Sequence, residues 1–203
     1  MRTIELTIYK FEELDNSIQS RVVNNLSNIN IDYNWYDGEF CYWKEKLEEF
    51  GFMQPQIFFN GFCSQGDGAC FECKSIDLEK AWKFFTLQMA KTDNWINRKI
   101  QTHEAWLYDY LYNYVSFKIQ CVNSRYSHES SQTVSSYCYK PTKGLLDKFY
   151  TAFENWLEDF RRGLCMELYH NLADQYNNLI SEEAIKETIQ ANEYEFFPDG
   201  KIA

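Results

Sequence analysis

Residues 146–172 read LDKFYTAFENWLEDFRRGLCMELYHNL, and large apolar residues recur in this segment every three or four positions. That spacing is typical of the buried face of an amphipathic α-helix. The apolar positions are Leu146, Phe149, Phe153, Trp156, Phe160, Leu164, Leu168 and Leu172. The pattern predicts the longest helix of the chain, interrupted at most near Gly163, against which the other elements pack.

The sequence on either side of this segment predicts shorter helices. N-cap residues such as Asp15 and Ser181 precede apolar residues at helical spacing, and Gly51 marks a helix end. The predicted helices run from Asp15 to Asn28, Asp32 to Gly51, Leu78 to Lys99 and Ser181 to Asn192. The aromatic segment from His103 to Tyr114 is either a further helix or irregular.

Alternation of apolar and polar residues predicts the strands. A first strand covers Thr3–Lys10 and a last one covers Tyr194–Phe197. Two hairpins lie between them: residues 56–62 return at 70–73 after the turn Ser64–Gly68, and residues 115–122 return at 133–139. We therefore expect an α+β protein, with an antiparallel sheet built from two hairpins and the terminal strands and packed by amphipathic helices. No repeat or linker divides the chain, so residues 1–203 are predicted to form a single compact domain.

Composition excludes several classes of protein. With 45% apolar and 18% aromatic residues, the chain is too rich in core-forming side chains for a disordered protein. A formal net charge of −10 argues against direct DNA binding, because phosphate neutralisation requires an excess of Lys and Arg. The absence of a long apolar run and of a signal-peptide segment after Met1 predicts a cytoplasmic protein without a membrane span.

The negative charge is unevenly distributed along the chain. Residues 116–150 carry five basic and two acidic groups, net +3, whereas residues 151–203 carry four basic and eleven acidic groups, net −7. Such blocks are either ordinary solvated faces or contact surfaces for a charged partner.

Seven cysteines, an odd number, are expected to be reduced thiols. Cys70 and Cys73 have the spacing of half a zinc site, but three residues apart in a strand they face opposite sides, and no second pair follows. We therefore expect no metal and no cofactor.

The segment NGFCSQGDGACF at residues 60–71 resembles the G-[FY]-x-S-Q-G-D-G-A-x-F element of a widespread family of small phage and prophage proteins. Residues 9–14, 182–200 and the Arg125–Glu129 segment are similar to further blocks of that family. Its members are often labelled as the N-terminal part of an antitoxin of a toxin–antitoxin stability system. Two departures are Cys63, where the family usually has an aromatic residue, and residues 74–114, which match no family pattern.

The resemblance implies a phage accessory protein acting in the host cytoplasm. We expect a non-enzymatic inhibitor of a host defence system, of the anti-CRISPR kind, which binds a nucleic-acid-binding effector through an acidic surface. The candidate contact residues are Ser64, Gln65, Asp67, Arg125, Tyr126, His128, Glu129, Glu154, Glu158 and Asp159. The oligomeric state is left open by the sequence.

Two alternatives remain open at this stage. The first is an antitoxin-like protein that neutralises a toxin, as the family label suggests. The second is a small hydrolase or ligand-binding protein that uses Ser64 and Asp67 on one turn with His128 on the other. The spacing around Ser64 differs from the G-x-S-x-G nucleophile elbow, and a turn rich in Gly, Asp and Ser is also what a tight hairpin selects.

Overall fold

The computed structural model describes residues 7–122, 125–141 and 143–203, so the beginning of the predicted first strand lies outside the described residues. The helices are α1 Asn16–Asn25, α2 Asp37–Glu49, α3 Leu78–Met89, α4 Trp95–Tyr114, α5 Leu145–Leu179 and α6 Glu182–Ala191. The strands are β1 Tyr9–Lys10, β2 Phe52–Met53, β3 Gln56–Asn60, β4 Gly68–Glu72, β5 Ser75–Ile76, β6 Val115–Cys121, β7 Gln132–Cys138 and β8 Glu195–Phe196. No helix in the described parts of the chain is long and apolar enough to cross a membrane.

The α+β class is confirmed, as are both hairpins and the presence of the two terminal strands. β3 pairs with β4 and β6 with β7, both antiparallel, and β1 pairs with β8. Among the described residues, however, the strands form four two-stranded ladders instead of one continuous sheet. β1, β2, β5 and β8 have only two residues each, and the hairpins are linked by an isolated β-bridge between Cys73 and Ile119 instead of a continuous ladder.

The helices differ from the predicted ones in their bounds, with α2 beginning at Asp37 instead of Asp32, and in one additional break. The predicted helix over residues 78–99 is interrupted, because Asn94 accepts a hydrogen bond from the Asn97 N–H and begins a new helix, α4. This helix includes the aromatic segment 103–114, with a kink at His103, where φ is −141°. α5 in contrast passes Gly163 without a break and is 35 residues long.

The chain divides into two compact units, and each is described by itself. The first, the terminal unit, consists of residues 1–37 and 172–203, and the second, the central unit, of residues 38–171. α5 contributes residues to both units. The single domain over residues 1–203 stays a prediction, because this division does not test whether either unit folds alone.

In the terminal unit, the two ends of the chain share one apolar core. Phe11 of the first segment meets Phe196 of β8 edge to face, with ring centroids 6.3 Å apart. The cluster contains Phe11, Leu14, Val22, Val23, Ile185, Ile189 and Phe196, all buried. Burial of this set holds the first and last segments of the chain together.

In the central unit, the predicted apolar face of α5 forms the core. Phe85 of α3 lies at its centre, with ring centroids 5.8 Å from Phe149, 5.0 Å from Phe153 and 5.1 Å from Trp156. These ring contacts join α3 to three successive turns of α5.

Gly51 makes a close backbone contact that no other residue type fits. Its φ is +97°, and a Cβ atom there would lie 2.7 Å from the carbonyl oxygen of Asp77. The Asp77 N–H donates to the Gly51 carbonyl at 2.7 Å, while the Asp77 side chain caps α3. Gly51 therefore brings the end of α2 onto the beginning of α3.

We predict that Gly51→Ala lowers the free energy of unfolding by about 1–3 kcal/mol, because a methyl group meets backbone and φ is unfavourable. The matched control is Gly163→Ala in α5, where nothing lies within 4 Å of the new Cβ. This variant should be unchanged or up to about 1 kcal/mol more stable, because alanine favours helix. Urea denaturation measures the free energy of unfolding of both variants. Equal values would contradict the conclusion that position 51 requires glycine.

Candidate binding site at the two hairpin turns

The two polar turns predicted from the sequence lie against each other. We call Ser64–Gly68 the first turn and residues 125–131 the second turn. The Ser127 N–H donates to Asn60 Oδ1 at 3.2 Å, and a Cβ on Gly68 would lie 2.9 Å from the Cα of His128. At Gly66, where φ is +95°, a Cβ would lie 3.3 Å from two carbon atoms of the Tyr126 ring. Glycine at 66 and 68 thus lets the second turn approach the backbone of the first.

The carboxylate of Asp67 is engaged within its own turn. Its Oδ2 accepts hydrogen bonds from the N–H groups of Cys63, at 2.8 Å, and Ser64, at 2.6 Å. The Asp67 N–H in return donates to the Ser64 carbonyl at 3.1 Å. Ser64 and Gln65 are exposed at the tip. This arrangement gives Asp67 a structural task that explains why the turn contains it.

His128 lies between two partners on the second turn. Its Nδ1 is 2.9 Å from Glu129 Oε2 and 3.3 Å from the Ser130 N–H nitrogen. A protonated Nδ1 donates to Glu129, whereas an unprotonated Nδ1 accepts from Ser130. Among the hydrogen bonds of the described residues, none joins Ser64 to His128, so a nucleophile–base pair stays a prediction.

A buried cation connects the second turn to α5. The Arg161 side chain is fully buried, and its Nη2 donates to the Glu129 carbonyl at 2.8 Å. Its Nε and Nη2 also donate to the two oxygens of Glu158, at 3.1 and 2.6 Å. Glu158 Oε2 in turn accepts from the Val134 N–H of β7 at 2.9 Å. One guanidinium and one carboxylate therefore hold a helix, a strand and a turn together.

The charges of this pair are maintained inside the protein. Burial alone raises the pKa of Glu158, but hydrogen bonds from Arg161 and the Val134 N–H outweigh it and hold the pKa below its ordinary value. Burial likewise disfavours charged Arg161, yet the Glu158 carboxylate keeps its pKa above the ordinary value. Both groups are ionised at neutral pH.

Three cysteines of the central unit are buried, and their thiols are protonated. Burial raises the pKa of Cys165 to about 12 and the pKa values of Cys70 and Cys73 to about 11. Thiolates are the form that binds metal and attacks electrophiles, so these cysteines act as small apolar side chains at neutral pH. Within residues 7–122, 125–141 and 143–203, no group of three or more His, Cys, Asp or Glu is arranged to hold a metal ion.

The predicted contact residues fall into three sets: the two turns lie against each other, and Glu158 of the third set is linked to the second turn through Arg161. Ser64, Gln65 and Asp67 form the first turn, and Arg125, Tyr126, His128 and Glu129 belong to the second. Glu154, Glu158 and Asp159 lie on α5. Glu154 accepts a hydrogen bond from the Ser136 hydroxyl and Glu158 binds Arg161, whereas Asp159 is exposed. Their role in contacting a partner stays a prediction, with two of the three helical carboxylates already engaged inside the protein.

Most of the net negative charge lies in the terminal unit, outside the two turns. The terminal unit contains 13 acidic and 5 basic residues, net −8, and the central unit 17 and 15, net −2. All twelve described carboxylates of the terminal unit are exposed: Glu12, Glu13, Asp15, Asp32, Asp37, Asp174, Glu182, Glu183, Glu187, Glu193, Glu195 and Asp199. A charge count along the sequence identifies the acidic C-terminal segment. It does not show that the acidic residues among the first 37 belong to the same unit. The predicted terminal strands were the available signal that both ends belong together.

Fold and site together define a small α+β protein with a structural pair of hairpin turns and one strongly acidic unit. The chain belongs to the family described as a domain of unknown function, DUF8835, which matches residues 35–182. No curated protein and no solved structure matches the chain.

We predict that Glu158→Gln lowers the free energy of unfolding at pH 7 by about 3 kcal/mol, because it leaves a buried guanidinium without its counter-charge. Since the pKa of Glu158 is lowered by folding, its contribution is present above the pKa of the unfolded chain and is lost as pH falls through the folded value. Urea denaturation between pH 7 and pH 3 should show the difference between wild type and variant shrinking as pH falls. The control Asp159→Asn, at the exposed neighbouring residue, should stay within about 0.5 kcal/mol of wild type. If the difference between wild type and Glu158→Gln stayed constant from pH 7 to pH 3, the role of the ionised Glu158 would be contradicted.

We predict that Asp67→Ala increases amide hydrogen exchange at Cys63 and Ser64 at least about tenfold, because both N–H groups lose their acceptor. Ser64→Ala, which keeps this carboxylate, is the matched control and should leave the exchange unchanged. Amide hydrogen exchange at Cys63 and Ser64, measured by NMR, distinguishes a structural role of the Asp67 carboxylate from a purely catalytic one. Unchanged protection in Asp67→Ala would favour the catalytic alternative.

Proposed function

We propose that this protein is a non-enzymatic binding protein whose acidic terminal unit docks on a basic, nucleic-acid-binding partner protein. The observation that carries the proposal is the net charge of −8 on the terminal unit, with every described carboxylate exposed. Of the described cations of this unit, Lys186 already pairs with Glu182 at 2.5 Å and Lys201 with Asp199 at 3.1 Å. Most of the negative charge is therefore available to an outside partner.

Electrostatics favours this class of partner. A groove that holds DNA or RNA is lined with Lys and Arg, so a concentrated acidic surface attracts it and can occupy it. Steering of this kind raises association rates and weakens as salt screens the charges over about 8–10 Å. The central unit, close to neutral, contributes little to this long-range attraction.

The particular partner is proposed from the resemblance of residues 60–71 to the phage and prophage family. Under that proposal the protein inhibits a defence effector of the host, such as a CRISPR nuclease, in the host cytoplasm. An antitoxin that neutralises a basic toxin uses the same electrostatics and is the second candidate. The hydrolase alternative receives less support, because Asp67 and Gly68 have structural tasks in the turn.

The experiment is affinity capture from a lysate of the bacterial host at low and high salt, followed by identification of the bound proteins. The test variant combines Asp174→Asn, Glu183→Gln and Glu187→Gln, which remove three exposed charges of the terminal unit. We expect wild type to capture a defence nuclease at low salt and the variant to capture at least about fivefold less, because each lost charge weakens the attraction.

The matched control removes the same number of exposed charges from the central unit through Glu45→Gln, Glu49→Gln and Asp147→Asn. It should capture the partner as well as wild type does. Recovery of a toxin in place of a nuclease would replace the first candidate with the second. Capture of no nucleic-acid-binding protein, or equal losses in both variants, would contradict the proposal.

A further inference from the structure

The hairpin of β6 and β7 has one buried side and one exposed side. Val115, Phe117 and Ile119 of β6 are buried, and the ring centroid of Phe117 lies 5.5 Å from that of Phe153 in α5. Side chains alternate between the two sides of a strand, so the residues between them point away from α5. We call this second side of the hairpin the outer face. Its exposed residues are Ser116, Lys118, Tyr137 and Tyr139.

Two tyrosines of the outer face leave most of their ring surface open. Tyr137 is 63% exposed, and Tyr139, which directly follows β7, is 66% exposed. Their rings meet edge to face, with centroids 4.7 Å apart and planes at 76°. Among the ring contacts of the described residues, neither tyrosine has another partner. Since an edge-to-face contact covers at most one face of one ring, the other faces remain available to a flat ligand.

The outer face is positively charged. Lys118 lies in the middle of β6, directly across from Ser135 of β7. Lys140 is exposed and lies with its Nζ 4.9 Å from the ring centroid of Tyr114. Neither lysine takes part in an ion pair within the described ranges. Residues 114–141, which contain the hairpin, have three basic and one acidic side chain, although the whole chain has a net charge of −10.

A polar cavity of about 200 Å³ continues the outer face at the end of β6. Gln120 contributes to its lining and lies two positions beyond Lys118, on the same side of the strand. The other polar residues around the cavity are Gln54, Gln56, Glu72 and Lys74. Side-chain amides offer both a donor and an acceptor, which matches the edges of nucleobases. The volume is below the range of about 300–1,000 Å³ for drug-sized ligands, so the cavity suits one small flat group.

We propose that the outer face binds a single-stranded nucleic acid. The bases of a single strand expose flat faces that stack on aromatic rings, and its phosphates attract lysine. In this arrangement Tyr137 and Tyr139 stack with bases while Lys118 contacts the phosphate backbone. The cavity at Gln120 receives the edge of a neighbouring base. A DNA duplex stacks its bases on each other, so it offers the two tyrosines no base face.

The lysines of the outer face would also attract an acidic protein segment. A nucleic acid fits better, because carboxylate side chains give the two exposed rings no flat surface on which to stack. The inference rests on the proposed function for the source of the strand, since a nucleic-acid-binding partner carries one. The residues of the outer face are separate from those of the terminal unit, so the two can be tested independently.

The test measures fluorescence anisotropy of defined probes titrated with the full-length protein. The first probe is a labelled, unstructured RNA of about 12 nucleotides, within the range of site sizes of small single-strand-binding domains. The other probes are single-stranded DNA of the same sequence, the corresponding DNA duplex and a labelled polyglutamate peptide. RNA and DNA distinguish the two possible sources of the strand, and the peptide represents an acidic protein segment.

The variants remove one feature of the outer face at a time. Threonine replaces both tyrosines in one variant, because it keeps the preference for a strand, and phenylalanine replaces both in another, which keeps the rings. The test variants are Tyr137→Thr with Tyr139→Thr, Tyr137→Phe with Tyr139→Phe, Lys118→Gln and Gln120→Ala. The matched controls remove exposed residues elsewhere and are Tyr33→Thr with Tyr42→Thr, and Lys44→Gln.

We expect both tyrosines replaced by threonine to weaken binding of the preferred single strand at least about tenfold, and both replaced by phenylalanine to stay within about threefold of wild type. Lys118→Gln should lower the slope of log Kd against log salt concentration by about 0.7, the value for one phosphate contact on a single strand. Gln120→Ala should weaken binding about threefold through a lost hydrogen bond. The duplex and the peptide should bind at least about tenfold more weakly than the single strand.

The controls and the triple variant of the terminal unit should bind the single strand within about threefold of wild type. Circular dichroism and the urea midpoint of each variant establish that it is folded. Wild-type affinity of a folded threonine variant would overturn the assignment, and so would equal binding of the duplex. Equal binding of the polyglutamate peptide would assign the outer face to an acidic protein partner instead.

Failure of this inference and failure of the proposed function give different results. If no single strand binds the wild-type protein while the terminal unit still captures a nucleic-acid-binding protein, the assignment of the outer face fails and the proposed function stands. If the threonine variant loses the single strand but the capture experiment recovers no nucleic-acid-binding protein, the proposed function fails and the assignment of the outer face stands.

Discussion

The arrangement of the hairpin turns depends on an ion pair between the fully buried Arg161 and the partly buried Glu158, whose carboxylate also binds Arg162. Arg161 is fully buried, and its guanidinium contacts Glu158 and the Glu129 carbonyl. Replacing a buried ion pair with apolar residues is often neutral or stabilising, whereas breaking it by removing one partner is costly. The pair therefore matters chiefly for specificity: it fixes the position of the second turn against α5 and of β7 through the Val134 N–H.

The second constraint is the close backbone approach that the glycines of the first turn permit. Gly68 lies where a Cβ would contact the His128 backbone, so the turn with the most distinctive sequence is also one of the most crowded. The charged and polar residues that suggested catalysis, Asp67 and His128, each have local backbone partners. A distinctive motif can thus be required by packing, without any reaction.

The long helix, both hairpins and the α+β class could be predicted from periodicity, because burial of one face imposes a repeat that is visible in the chain. The break between α3 and α4 was missed, since residues 90–94 contain no Gly or Pro and only the Asn94 cap marks a new helix. The pair of Glu158 and Arg161 is local, three residues apart on α5, but its burial and the contact between the two turns depend on how distant segments of the chain pack. Arg161 and Arg162 are adjacent and chemically identical, yet the first is buried and the second is half exposed.

The family match and the concentrated negative charge fall on different parts of the chain. The family matches residues 35–182, which include the central unit, whereas most of the acidic terminal unit lies outside the match. The two turns and the ion pair therefore belong to the part of the chain that the family model matches. The concentrated charge on which the proposed binding rests belongs mainly to the two ends of this chain.

The account depends most on the claim that Arg161 and Glu158 act as one unit. A double-mutant cycle with Glu158→Gln, Arg161→Met and the combined variant, measured by urea denaturation at pH 7, tests this directly. The account predicts a coupling free energy of at least about 2 kcal/mol, with the combined variant more stable than the sum of the single losses implies. Additive losses, with a coupling free energy near zero, would contradict it.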